Sequence, residues 1–152
     1  MRSQLLLRIC EDCIHYKAIL HAFVIMPHHF HAIITAPEEK TLSWLMQRIK
    51  SNTAKDFMAK LLRHESSLLD SQTGLDERVF WMRSFRSFAI CDDKVSREKT
   101  DYIHLNPVRA EMVIHPREYR WSSFEIFEKG LYCPKSGIAR VAIDTLQTAS
   151  LG

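Results

Sequence analysis

Three histidines fall within four positions of HAFVIMPHHFHAIIT, the segment that spans residues 21–35. In an extended strand, side chains two positions apart face the same way, so His29 and His31 would project from one face and Phe30 from the other. Two neighbouring imidazoles have the spacing of metal ligands, but two surface histidines at a hairpin would show it as well. The segment therefore predicts a metal site only if other residues complete it.

A candidate partner is TDYIHLNPVRA, residues 100–110. On a helix, Tyr102 and Asn106 would lie four positions apart on one face, which brings a phenol and a carboxamide together. A tyrosine can act as a nucleophile, but its spacing here fits an amphipathic packing residue equally. His104, two positions after Tyr102, would point away from it, which argues against a proton-relay role.

The early histidines require a hairpin to hold them. KAILHAFVIM, residues 17–26, has the composition of a strand, and a second strand pattern runs over residues 29–35. Pro27 and His28 interrupt the two patterns, and Pro37 ends the second. We therefore expect a tight hairpin with the histidines at its corner.

Helices are expected on both sides of the aromatic segment. Apolar residues recur at helical spacing over 41–62 with basic residues between them, which predicts a long amphipathic helix with a bend near Asn52 as one option. Asp92 or Asp93 is a suitable N-cap for a helix over about 94–106. Pro107 should end that helix, because it disfavours α geometry in the residue before it.

The C-terminal third carries weaker signals. YRWSSFEIFEKG predicts a short amphipathic turn of helix, and the last fifteen residues show little pattern. With 152 residues and 46% hydrophobic content, the chain is expected to form one domain over residues 1–137, followed by a loosely ordered tail over 138–152.

Composition excludes several classes of function. No apolar run reaches the ~18 residues of a membrane helix, and the N-terminus MRSQLLLRICEDC is unlike a signal peptide. Four irregularly spaced cysteines indicate reduced thiols, and a single Cys-x-x-Cys argues against structural zinc. Four scattered glycines supply no phosphate-binding loop, so nucleoside-triphosphate chemistry is not expected. The net charge of +3 does not by itself indicate a polyanionic partner.

Aromatic and basic residues alternate in VFWMRSFRSFAI, residues 79–90. Such a mixture suits a strand or a turn-rich platform that stacks unpaired bases while arginines hold phosphates. Core aromatics beside solvated arginines would give the same pattern. The aromatic residues are Phe80, Trp81, Phe85 and Phe88, and the arginines are Arg78, Arg83 and Arg86.

Five segments of the chain follow one another in a familiar order: FVIMPHHFHAII, LSWLMQRIKSNTAKDF, VFWMRSFRSFAI, TDYIHLNPVRA and YRWSSFEIF. They resemble the MPNHVH hairpin, the basic helix, the W-x-R-x-F segment, the YIHxNPVxA block and the WSS motif of one family. That family is the single-tyrosine HUH transposases, in particular the REP-associated tyrosine transposases of bacteria. His28 replaces the family's usual Asn in the hairpin motif.

The resemblance implies an α+β fold, in which helices pack on an antiparallel, ferredoxin-like sheet with the histidine pair on a central strand. It implies that His29 and His31 are metal ligands, that Asn106 is an additional ligand and that Tyr102 is the nucleophile. Family members have a further strand before their first helix. This chain begins too late to supply it, so a sheet that lacks the first strand is one expectation.

The resemblance also implies a function. The chain would be a cytoplasmic, nucleoid-associated transposase that cleaves and rejoins single-stranded DNA near hairpins through a covalent 5′-phosphotyrosine, with Mg²⁺ or Mn²⁺ as cofactor. No membrane partner is expected, and a homodimer and a monomer both stay open. Residues expected to bind DNA are Arg48, Lys50, Lys55, Arg78, Trp81, Arg83 and Arg86.

Two other functions fit the same sequence features. The chain could be an HUH-type DNA-binding module that is catalytically inactive or domesticated. It could also be an unrelated histidine–metal hydrolase, in which Tyr102 would be dispensable. Covalent attachment of DNA to Tyr102 separates both from the transposase.

Overall fold

The computed structural model describes residues 2–65, 81 and 85–149. It confirms the expected α+β class, in which helices pack on an antiparallel sheet. The elements in chain order are α1 (Arg2–His15), β1 (Ile19–Ile25), β2 (Phe30–Thr35), α2 (Leu42–Glu65), α3 (Asp93–Arg109), a 3₁₀ turn (Pro116–Glu118), α4 (Phe124–Glu128) and α5 (Ala139–Ala149).

The predicted hairpin is present. β1 and β2 pair antiparallel with Ile25 opposite Phe30, and the N–H of Met26 donates to the carbonyl of His29 at 2.8 Å. This bond closes the turn through Pro27 and His28, where the strand pattern breaks. Within the described ranges the sheet consists of these two strands, so the expected ferredoxin-like sheet with the histidine pair on a central strand is not seen there.

β1 is the buried centre of the fold. A register irregularity between Leu20 and Ala22 keeps Leu20 on the same face as Phe23. That face packs against residues of α1, α2 and α5, whereas Val24 on the opposite face packs with Ile103 of α3. Helices therefore cover both faces of β1, which explains its nearly continuous apolar sequence.

Polar contacts fix α2 against α1. The side-chain amide of Asn52 donates to both carboxylate oxygens of Asp12 at 3.0 and 3.1 Å, and Arg8 Nε donates to Asp56 at 2.6 Å. Asp12 is buried, and desolvation raises the pKa of its carboxyl. α2 begins after Thr41, whose hydroxyl accepts from the N–H of Trp44, and it runs through Asn52 as one helix.

α3 begins as predicted and ends later. The carboxylate of Asp92 accepts from the N–H of Val95 at 2.8 Å, which confirms the N-cap. The expected end at Pro107 is wrong, because the helix continues to Arg109 with the proline inside it. The proline ring is fully buried, and the carbonyls around it accept bonds from the N–H groups of residues 110–112. Burial and these bonds offset the strain that proline imposes on the preceding residue.

The expectation of a loosely ordered tail from residue 138 is wrong over the described part of that segment. Ala139–Ala149 form α5, which packs against α1, and Ile138 and Ala142 are buried in the core. Gly137 makes this docking possible. Its φ is +65°, and a Cβ there would lie 2.3 Å from the carbonyl oxygen of Leu20. The N–H of Ile138 donates to the same oxygen at 2.8 Å, which ties the start of α5 to β1.

None of the helices in the described ranges is long and apolar enough to cross a membrane. All four cysteines are free thiols, as expected. Cys10 and Cys13 lie in the core, where burial raises the pKa of each thiol, so neither is a ready metal ligand or nucleophile.

The docking of α5 yields a stability prediction. Ile138→Ala should lower the free energy of unfolding by about 2–5 kcal/mol, because it removes a fully buried side chain and leaves a cavity. Urea denaturation followed by circular dichroism measures the change. Ile114 is 91% exposed, so Ile114→Ala is the matched control and should stay within about 0.5 kcal/mol of wild type. Equal losses in the two variants would contradict the docked position of α5.

Candidate active site

The histidine pair lies at the start of β2. The ring centroids of His29 and His31 are 4.9 Å apart with the ring planes nearly perpendicular. Phe30 between them belongs to the opposite side, where its ring lies 5.9 Å from that of Trp81. The two imidazoles thus share a face, as the alternation of the strand predicts.

α3 brings Tyr102 to the same face. Its ring centroid lies 6.0 Å from that of His31, with the planes at 85°, and the residue is 44% exposed. The next residue, Ile103, is buried with Val24 and Met26. Because Ile103 points into the core, the phenol beside it is turned toward the hairpin corner and remains accessible.

The described residues contain no group of three or more His, Cys, Asp or Glu suited to a metal, so the imidazoles of His29 and His31 would form only part of a metal site. Burial, with a contribution from the charge of His29, lowers the pKa of His31, which favours the neutral imidazole that binds metals. Asn106 lies one turn after Tyr102 and is half-buried. A divalent ion here would take its remaining ligands from oxygen atoms.

A cavity of about 1400 Å³ opens at this corner. Its walls come from α1, the hairpin, α2, the segment 85–88 and α3, and both histidines and Tyr102 line it. Of the residues predicted to bind DNA, Lys50, Trp81 and Arg86 also line the cavity. The histidine pair, Tyr102 and three of the predicted DNA-binding residues therefore face one open volume.

The other predicted DNA-binding residues divide into two groups. Arg48 lies 5.4 Å from the ring of Trp44, and neither Arg48 nor Lys55 belongs to the cavity wall. Both are exposed on α2. Arg78 and Arg83 lie outside the described residues, so the structure places neither of them.

The aromatic segment faces the cavity with two exposed rings. Phe88 is 69% exposed and Phe85 37%, which favours a surface role over a core role for these residues. Lys99 Nζ lies 4.8 Å from the ring centroid of Phe88, and Lys50 Nζ lies 5.8 Å from that of Phe85. The strand alternative is wrong for residues 85–90, which have no regular secondary structure and no paired strand among the described residues.

Sequence reasoning missed Lys99 as a cavity residue. It stands three positions before Tyr102, which on a helix is the same face, and that spacing is the signal that would have found it. Lysines occur at many such positions on solvated helix faces, so the spacing alone is a weak guide.

His104 lies on the buried side of α3, away from the phenol of Tyr102. It is buried, with Nε2 2.8 Å from the hydroxyl oxygen of Ser123, and that oxygen accepts from the N–H of Phe23 at 3.0 Å. The rings of Phe124 and Phe127 pack edge-on against the imidazole. Desolvation lowers the pKa of His104 to about 4. The residue therefore joins α3 to β1 and α4, and it does not face the phenol of Tyr102.

Comparison with known proteins gives an independent assignment. A family model described as "Transposase IS200 like" matches residues 1–106. A curated relative from Haemophilus influenzae, assigned as a REP-associated tyrosine transposase, is 27% identical over 115 residues. The match covers 75% of this chain and 63% of the relative, so the chain spans less than two thirds of that protein's length. No solved structure matches the chain.

The buried imidazole makes stability depend on pH. The pKa of His104 is about 4 in the folded state and near 6.5 when unfolded, so the unfolded chain takes up the proton first as the pH falls. The stabilisation that comes from keeping this imidazole neutral is complete above about pH 6.5, and it is lost as the pH falls from that value to about 4. Between pH 7 and pH 5, His104 should account for about 2 kcal/mol of the loss in free energy of unfolding.

Urea titrations at the two pH values test this on His104→Gln. The variant should be less stable at pH 7, because Ser123 loses its imidazole partner, and its loss on acidification should be about 2 kcal/mol smaller than in wild type. His15 is exposed, so His15→Gln is the control and should keep the wild-type pH dependence. An unchanged pH dependence in His104→Gln would show that His104 does not cause the loss of stability on acidification.

Proposed function

The chain belongs to the IS200-like transposase family, and from that premise we propose that it cleaves and rejoins single-stranded DNA with Tyr102 as nucleophile. One observation carries the proposal. The ring centroid of the accessible phenol from α3 lies 6.0 Å from that of His31, the imidazole of His29 lies beside His31, and all three side chains line one cavity.

The reaction is an exchange of esters. The hydroxyl oxygen of Tyr102 forms a bond to phosphorus, the bond from phosphorus to the 3′ oxygen breaks, and a 5′-phosphotyrosine results. The phenol loses its proton to solvent, and the released 3′ oxygen gains one to become a hydroxyl. Because one phosphoester replaces another, an incoming 3′-hydroxyl can reverse the step and join a new strand without ATP.

His29 and His31 are the residues that would hold a divalent ion, with Asn106 as an additional oxygen donor. When bound, the ion would neutralise charge on the non-bridging phosphate oxygens. Imidazole nitrogens suit Mn²⁺ better than Mg²⁺, which prefers oxygen ligands, although either fits the proposal. The chain's own contribution is to hold the two rings side by side on a rigid strand.

Exposed rings and cations in the cavity support a single-stranded substrate. Phe85 and Phe88 can stack on unpaired bases, and Lys50, Lys99 and Arg86 can contact phosphates along the same path. A base pair offers no free face to such rings, so a duplex would leave them unused. The relative's name refers to REP elements, and we extend this to propose a DNA hairpin beside the cleaved strand.

One observation favours a second candidate function. The described residues contain no group of three or more His, Cys, Asp or Glu placed to hold a metal ion. A chain that kept the cavity but bound metal weakly would bind single-stranded DNA without cutting it. A covalent protein–DNA adduct separates the two candidates.

Tyr102→Phe tests the nucleophile. The protein is incubated with Mn²⁺ and a 3′-labelled single-stranded DNA that carries a hairpin, because the 3′ fragment stays attached to the tyrosine, and adducts are resolved on a denaturing gel. Wild type should give a labelled adduct that Tyr102→Phe abolishes, because phenylalanine has no oxygen to attack phosphorus. Tyr132→Phe is the matched control and should form the adduct, since its hydroxyl is bonded to His21. Binding without any wild-type adduct would support the DNA-binding module, and cleavage by Tyr102→Phe would support the hydrolase.

Metal removal tests the histidine pair. EDTA should abolish the adduct and added Mn²⁺ should restore it, whereas His31→Ala should lower its rate at least a hundredfold at low Mn²⁺ because one of two imidazole ligands is lost. His28→Asn is the control. It introduces the residue that the family motif carries at this exposed position, and it should retain wild-type activity. Full activity in EDTA, or in His31→Ala, would refute metal dependence at this pair.

A further inference from the structure

Arg109 lies against the candidate nucleophile. Its guanidinium carbon is 4.8 Å from the ring centroid of Tyr102. The two residues are seven positions apart on α3, so they share a face two turns apart. Arg109 is not among the residues proposed as nucleophile, metal ligands or DNA contacts.

The guanidinium of Arg109 keeps its hydrogen-bond donors available. The residue is exposed and forms no ion pair with any described residue. By contrast, Arg8 is paired with Asp56 and Arg117 with Glu128. A guanidinium over an aromatic face is held by its attraction to the ring, and its N–H groups can still bind phosphate oxygens.

We propose that Arg109 binds the phosphodiester that Tyr102 attacks, which deepens the proposed function and rests on it. The hydroxyl oxygen is part of the group over which the guanidinium lies, so a phosphorus atom within bonding reach of that oxygen also lies near the arginine. Negative charge accumulates on the non-bridging oxygens during the attack, and a guanidinium can offer paired N–H donors to them. After cleavage the same phosphate is esterified to Tyr102, so Arg109 also contacts the covalent intermediate.

If Arg109 only stabilised α3, its loss would lower the thermal midpoint but not the rate of adduct formation by the folded protein. A cation in the last turn of a helix interacts with the terminal carbonyls and stabilises the helix modestly. Arg97 is a second exposed arginine of α3, and no ring contact or ion pair involves it among the described residues. Arg97→Gln therefore removes the same charge from the same helix without touching Tyr102.

The first measurement is the rate of adduct formation at saturating hairpin DNA and Mn²⁺. Arg109→Gln should slow it at least tenfold, Arg109→Lys should recover part of the rate because it restores the charge without the planar fork, and Arg97→Gln should match wild type. Thermal midpoints of all variants show whether they are folded. If Arg109→Gln is folded and reacts as fast as Arg97→Gln, the proposal is overturned.

The second measurement does not depend on cleavage. In a Tyr102→Phe background, DNA binding is measured over a range of salt concentrations. Loss of one phosphate contact in Arg109→Gln should reduce the slope of log affinity against log salt by about 0.7, and Arg97→Gln should not change it. If wild type forms no adduct, the proposed function fails, and this slope alone decides on Arg109. Equal slopes in the two variants then overturn its phosphate contact.

Discussion

Burial of one side chain, Ile103, sets the geometry on which the candidate site depends. It packs with Val24 and Met26 on the face of β1 opposite α1, and this contact fixes the rotation of α3 about its own axis. Successive residues of a helix are about 100° apart, so the orientation of Ile103 determines that of Tyr102. If the residue before or after Ile103 packed against β1 instead, the phenol of Tyr102 would turn away from His31 and a different side chain would face the cavity.

The residues behind α3 secure the same rotation. His104, the next residue, is bonded to Ser123, which in turn is bonded to the backbone of Phe23 in β1. Nearby, the hydroxyl of Tyr119 donates to the carbonyl of Ile25 at 2.7 Å. Three consecutive residues of α3 thus point to the cavity, the core and a buried polar network. The helix is held on two sides, while its third side, which carries Tyr102, remains open to the cavity.

The sequence predicted the parts of this arrangement that depend on neighbours along the chain. Strand alternation put His29 and His31 on one face, and helical spacing put Tyr102 on a helix capped by Asp92. It did not predict that α3 continues past Pro107, because the compensation comes from burial of the ring. α5 was missed for a related reason. Its apolar residues become significant only when Gly137 lets the chain approach β1 closely.

The sequence also did not predict which basic residues of α2 reach the cavity. Arg48 and Lys55 fit the pattern of a basic helix, but the rotation of α2 keeps them off the cavity wall that Lys50 lines. Which members of a basic helix can reach a ligand depends on how its apolar face docks, and that contact is not local.

Tyr102 is 44% exposed, so burial does not hold its side chain in place. Its position has to come from contacts that leave the hydroxyl accessible. Two are present: His31 with its ring plane perpendicular to the phenol ring, and Arg109 against the ring. Both are groups that the proposed chemistry also uses, one as a metal ligand and one as a phosphate ligand. In the proposed mechanism, the two side chains that hold the ring also bind the metal ion and the reacting phosphate, so the geometry of the site is prepared before the substrate arrives.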